Sequence, residues 1–147
     1  MIGSLPAKGT TKPMPPENDP KRADSSGGDA EEALRLSEAM YRELVENANS
    51  AILRWRSDGT LTFLNAYAQA FFGYGAEDIV GRHVGVLLPE TDSAGLDMRA
   101  LVEDILNSPE RYVQNVNENV CRDGRRVLMA WTNRPLLDEK GEVTEIL

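Results

Sequence analysis

Three turn dipeptides, Asp58-Gly59, Asp123-Gly124 and Lys140-Gly141, constrain this chain more than any other feature. Glycine enters the positive-φ region without steric cost, and Asp-Gly between apolar runs marks a tight connection between antiparallel strands. Each dipeptide is flanked by residues of strand character. Residues 51–56 turn into 60–64, residues 112–122 turn into 126–134, and Lys140-Gly141 leads into a last strand over 142–147. Pro135 is expected to end the fourth strand, because proline cannot donate to a ladder. Between the first pair of strands and the last three lie helix signals. Asn65 suits the N-cap of a helix over 66–72 that Gly73 closes, and a shorter helix over 76–80 stops at Gly81. A longer helix over 97–106 carries an apolar face of Met98, Leu101, Val102 and Ile105. Two strands, several short helices and three strands make an α+β pattern, with an antiparallel sheet and helices gathered on one side.

The N-terminal part is of another kind. Residues 1–28 hold Pro6, Pro13, Pro15, Pro16 and Pro20 among polar residues and show no hydrophobic period. Such a stretch buries too little apolar surface to offset its ordering entropy, so it reads as a disordered leader. Asp29 and Glu32 have the spacing of a capping box and open an amphipathic helix over 29–48. Leu34, Tyr41 and Ala48 recur at heptad spacing, with Ala30, Ser37 and Leu44 as a companion row. The stripe is short for a free coiled coil, so it is expected to dock on the following domain, residues 49–147, or on its copy in a second subunit.

The formal net charge of -8 argues against partners with phosphate backbones or anionic lipid surfaces. One cysteine, Cys121, cannot close an internal disulfide, and the N-terminus has no apolar run of signal-peptide length. A cytoplasmic module is expected, from a parent that could itself be membrane-anchored.

Taken in order, the motifs resemble the PAS domain of bacterial signalling proteins. The front half carries Ala51-Ile52-Leu53-Arg54-Trp55-Arg56-Ser57-Asp58-Gly59, Phe63-Leu64-Asn65, Phe71-Phe72-Gly73-Tyr74 and Asp78-Ile79-Val80-Gly81-Arg82. The back half carries Arg122-Asp123-Gly124-Arg125-Arg126, Ala130-Trp131-Thr132-Asn133-Arg134-Pro135 and Asp138-Glu139-Lys140-Gly141-Glu142-Val143. The resemblance implies a five-stranded antiparallel sheet in the order 2-1-5-4-3, with short helices across one face and a cavity between. It implies a sensory module that binds a small ligand or partner and passes a conformational change to an output domain, in a parent such as a sensor histidine kinase or nucleotide cyclase. An alternative is an interaction module with a filled cavity.

Strand alternation puts Asn115, Asn117, Asn119 and Cys121 on one face, and Met129, Trp131 and Asn133 on one face of the next strand. In the family pattern both rows look into the cavity. From these rows Asn115, Asn117, Met129, Trp131 and Asn133, with Phe63, Phe71, Leu101 and Ile105, form a candidate lining of apolar walls and a few amides, the composition a small-molecule pocket needs. The cofactor is left open. Flavin-binding light sensors of the family carry a reactive cysteine after a glycine-arginine-asparagine run. The matching stretch here is Gly81-Arg82-His83-Val84, so Val84 stands at the cysteine position and speaks against that photochemistry. The long helix lacks the histidine that haem-binding members use, and His83, the one histidine, falls in a loop. No nucleophile–base pair and no glycine-rich phosphate loop is apparent, so no catalytic residue is assigned. A lone histidine makes no metal site. Leu128 and Ala130 alternate against Met129 and Trp131, so both sheet faces carry apolar residues and both need cover. A homodimer through the N-terminal helix and outer sheet face is the expectation this raises.

Overall fold

The computed structural model describes residues 21–147. Helix α1, Lys21–Glu46, crosses the boundary between two compact units at Ala39/Met40. It begins ahead of Asp29, so Asp29 and Glu32 lie inside the helix and do not cap it. The expected leader is therefore helical from Lys21 on, and residues 1–20 of it lie outside the described residues. Leu34, Met40, Tyr41 and Leu44 of α1 are all exposed.

The second unit holds six strands: β1 (Leu53–Arg56), β2 (Leu61–Leu64), β3 (Gln114–Val120), β4 (Arg126–Thr132), β5 (Pro135–Leu137) and β6 (Val143–Ile146). All pairings are antiparallel. They form a four-stranded sheet in the order β2-β1-β6-β5 and a two-stranded sheet β3-β4. The expected fourth strand, 126–134, thus stops at Thr132, and β5 follows it as a strand the sequence did not mark. Asn133 N–H still donates to Val113 O at 2.9 Å, while Arg134 and Leu147 exchange both backbone hydrogen bonds at 2.8 and 2.9 Å. If β4 and β5 are counted as one strand, the order is the expected 2-1-5-4-3. Pro135 begins β5 and does not end a strand as its missing N–H suggested; at a first position that N–H is not needed.

The helices α2 (Ala66–Phe72), α3 (Ala76–Ile79) and α4 (Met98–Asn107), with a 3-10 turn over Val84–Leu87, each send buried residues into one core with Trp55, Leu61, Leu64 and Ile146 of the sheet. Phe72, Leu61, Leu64, Ile79, Leu87 and Ile146 are fully enclosed. Asn65, also fully enclosed, ties the pieces together. Its Oδ1 accepts from Ile52 N–H and Ala68 N–H, both at 3.0 Å, and its Nδ2 donates to Val45 O at 2.9 Å and Ser50 O at 3.0 Å. One side chain thus caps α2 and fixes the chain entering β1, as an asparagine with two donors and two lone pairs can. Gly73, at φ 81°, closes α2 in the left-handed region.

At the first hairpin the strand alternation is broken. Arg54 pairs with Phe63 but Trp55 with Leu61, so Thr62 is an extra residue in β2. The bulge inverts the side on which the next residue falls. Leu61 and Leu64 both face the core, and Phe63 is turned out beside Arg54, whose guanidinium pairs with Glu145.

Candidate functional site

A cavity of about 290 Å³ lies between α4, the 3-10 turn, β1 and the β3–β4 hairpin. Trp55, Val84, Leu87, Leu101, Val102 and Ile105 supply much of its apolar wall. Met98, Val102 and Ile105 form the buried face of α4, and Asp97 caps that helix by accepting from Arg99 N–H at 2.9 Å. Thr132, Arg134 and Leu147 are the exposed residues of the lining. Among the described residues no ladder joins β4 to β1 or β6.

The polar wall is a single line of amides. Residues two apart on β3 share a face, so Asn115, Asn117 and Asn119 stand in a row. Asn133 Nδ2 donates to Asn115 Oδ1 at 2.6 Å, Asn115 Nδ2 to Asn117 Oδ1 at 2.8 Å, and Asn117 Nδ2 to Asn119 Oδ1 at 3.0 Å. Asn119 Nδ2 then donates to Leu87 O at 3.0 Å. Three partners fix the direction of the line. Leu87 O and Tyr112 O, the latter 2.8 Å from Asn133 Nδ2, can only accept. Trp131 Nε1, 3.0 Å from Asn119 Oδ1, can only donate. Reversing the amides would strand these groups, at about 1–3 kcal/mol for each buried one left unpaired. Trp131 also stacks on Phe72 with ring planes 6° apart, which joins the line to the core.

Of the residues expected from sequence to line a cavity, Leu101, Ile105, Asn115, Asn117, Trp131 and Asn133 do so. Phe63, Phe71 and Met129 do not. Phe63 is turned out by the bulge. Phe71 stands beside the second hairpin: it stacks on Tyr67, meets Phe72 edge-on, and lies under the Arg125 guanidinium at 5.7 Å. Met129 packs against the core without reaching the cavity. Sequence reasoning left Trp55 and Leu87 out of the lining. The period-2 pattern of β1 carried the signal for Trp55; a one-turn 3-10 segment carries none for Leu87.

Val84 lies in the cavity wall, where it offers no thiol, and Cys121 lies elsewhere, buried with its Sγ 3.6 Å from Phe71 O. The residues present therefore do not fit covalent flavin chemistry. His83 is exposed and outside this cavity; its Nδ1 accepts from Gly85 N–H at 3.0 Å, and its ring covers Gly59. That position does not fit a ligand to a haem held in the cavity. Among the described residues no group of three or more His, Cys, Asp or Glu side chains could hold a metal ion.

Titratable groups sit at the margins. Backbone and hydroxyl donors of Ser93, at 2.8 and 3.0 Å, hold Glu118 below the usual glutamate range, helped by Arg126. Desolvation and then the hydrogen bond to Asp104 push the Tyr112 phenol up. The cavity itself holds one charged lining residue, Arg134, which is exposed.

The sequence over residues 39–147 matches the family model described as PAS fold. The chain belongs to the PAS family. The chain is 32% identical over 119 residues to the two-component sensor PprA of Pseudomonas aeruginosa, a match that covers 80% of this chain and 12% of that protein. The chain thus spans about an eighth of the relative's length. Among solved structures it superposes on the PAS domain of an HTR-like protein from Haloarcula marismortui with a TM-score of 0.61 at 21% identity, covering 81% of this chain and 93% of that one. An RNA-binding light-oxygen-voltage receptor gives the same TM-score, 0.61, at 19% identity over 77% of this chain and 32% of that one. These structures share the fold. PAS domains of sensor-kinase-like proteins are in general sensory modules, and this is the coarse function of the chain. Among the described residues no helix is long and apolar enough to cross a membrane.

Proposed function

We propose that this PAS domain binds a small ligand in the cavity between α4 and the β3–β4 hairpin and passes the resulting change to an output domain of a longer signalling protein. It is itself a non-catalytic regulator, and a histidine kinase or nucleotide cyclase is the output that suits it. The observation that carries the reading is a cavity of about 290 Å³ with apolar walls and one line of amides. Apolar area gives affinity and a few fixed polar groups give orientation. A ligand that prefers one of two arrangements of the hairpin shifts their populations, which is all that sensing requires. Thermal-shift screening against metabolites, with native mass spectrometry of the purified chain, tests it. A compound that raises the melting temperature, and loses that effect in Ile105→Trp, is the expected result. A crystal structure with the cavity closed by its own side chains would refute it.

A second role rests on a separate observation. Leu34, Tyr41 and Leu44 of α1 are 61%, 71% and 65% exposed, and Val116 and Leu128 of the hairpin are 62% and 76% exposed. We read these as surfaces for a second copy of the chain, the helix and the sheet face each pairing with its like. Light scattering tests this: Leu34→Glu with Tyr41→Glu is expected to lower the mass toward that of a monomer, and an unchanged mass removes the role of the helix.

A further inference from the structure

The line of amides has one open end. Among the described residues, Asn115, Asn117 and Asn119 Oδ1 each accept a hydrogen bond from a neighbour in the line, and Asn119 Oδ1 accepts another from Trp131. Asn133 Oδ1 accepts from none of them, while its Nδ2 is committed twice, to Tyr112 O and Asn115 Oδ1. No buried side-chain nitrogen or oxygen among the described residues lacks a partner, so this partnerless oxygen is an accessible one. It belongs to a residue of the cavity wall. The line cannot be turned round to offer a donor there, because Leu87 O, Tyr112 O and Trp131 Nε1 each act in one direction only. An arriving group therefore meets an acceptor.

Charge narrows the class further. No lining side chain is a carboxylate or a lysine, and the one arginine, Arg134, is exposed. An ion carried into the cavity would lose hydration with no counter-charge to meet it. We propose that the cavity selects an uncharged, largely apolar compound bearing an N–H or O–H donor, and that this donor binds Asn133 Oδ1. Accepting it polarises the line toward Leu87 O, since hydrogen bonds in series strengthen one another. Occupancy at Asn133 is thereby felt at the 3-10 turn on the far side of the cavity. The proposal rests on the ligand-binding reading above and names the chemistry of the ligand.

Three matched probes test it on the intact chain by nitrogen–proton NMR titration: indole, 1-methylindole, which lacks the donor, and indole-3-carboxylate, which adds a charge. Indole is expected to bind at least about fivefold more tightly than either of the others, the worth of one hydrogen bond. It is also expected to shift the side-chain amide signals of Asn115, Asn117 and Asn119 together. In Asn133→Ala its affinity is expected to fall to that of 1-methylindole. Equal binding of indole and 1-methylindole overturns the donor rule, and equal binding of the carboxylate overturns the charge rule; both leave the cavity a binding site. If none of the three moves a signal from Leu101, Ile105 or Trp131, the ligand-binding reading fails and the proposal fails with it. The probe comparison uses the unsubstituted protein, so it stands even if Asn133→Ala does not fold.

Discussion

The first two hairpins of this PAS domain are built on opposite terms. The first, β1–β2, is short and bulged, and it places Leu61 and Leu64 in one buried cluster with Phe72 and Ile79. The second, β3–β4, runs in unbroken register from Gln114↔Thr132 to Val120↔Arg126, yet in β4 no residue is fully buried. Regular pairing and burial have come apart. The first hairpin is held by apolar contact and the second by backbone ladder and amides. A surface that must meet a changing ligand belongs on the element with fewer buried contacts, because that element opens at lower cost.

Substitutions can break or sharpen this contrast. The largest effect is expected for Phe72→Ala, which empties the centre of the first region and should cost about 3–5 kcal/mol by urea unfolding. A smaller loss there would place the stability elsewhere. Asn65→Ala comes next, at about 2 kcal/mol, since four backbone groups around β1 and α2 lose their partner together. In the second region Asn119→Ala takes a partner from Leu87 O, Trp131 Nε1 and Asn117 Nδ2, but water entering the cavity can serve all three. About 1 kcal/mol is expected, with faster hydrogen exchange confined to β3 and β4. A global loss as large as that of Asn65→Ala would erase the distinction between the hairpins.

The smallest effect is expected for Glu118→Gln and depends on pH. The Glu118 carboxyl is held below its ordinary range by Ser93, so the anion stabilises the fold above the unfolded carboxyl pKa. That contribution is lost as pH falls through the folded value. The variant should melt slightly below the parent at neutral pH and together with it once the parent's Glu118 is protonated in the folded state as well. Melting curves from neutral to strongly acid pH check this, and a gap that widens in acid would reverse the sign.

Much of this was legible in the sequence because turn chemistry is local. Gly59, Gly124 and Gly141 take φ of 85°, 85° and 80°, and the three hairpin connections fall where these residues put them. The N-cap at Asn65 and the buried face of α4 were equally local. What was missed depends on partners distant in sequence. Phe63 faces outward because a bulge against β1 adds Thr62, and no period in 60–64 alone reveals it. Pro135 starts a strand because Ile146 stands opposite. The amides were visible as a row, but their direction is set by Leu87 O and Tyr112 O, backbone atoms that a sequence does not mark. The start of α1 was misplaced in another way: the helix passes through Gly27-Gly28, where local preference argues for a stop. No contact among the described residues accounts for that.

The join at Asn133 and Arg134 has a mechanical consequence. Within two consecutive residues the chain transfers its backbone pairing from Val113, on the hairpin, to Leu147, beside β6. On the β4 side, any swing of the hairpin against the four-stranded sheet would turn on the torsions of this dipeptide, much as a door's travel is set at its hinge pin. The side chain carried on the first half of that pivot is the one that closes the row of asparagines.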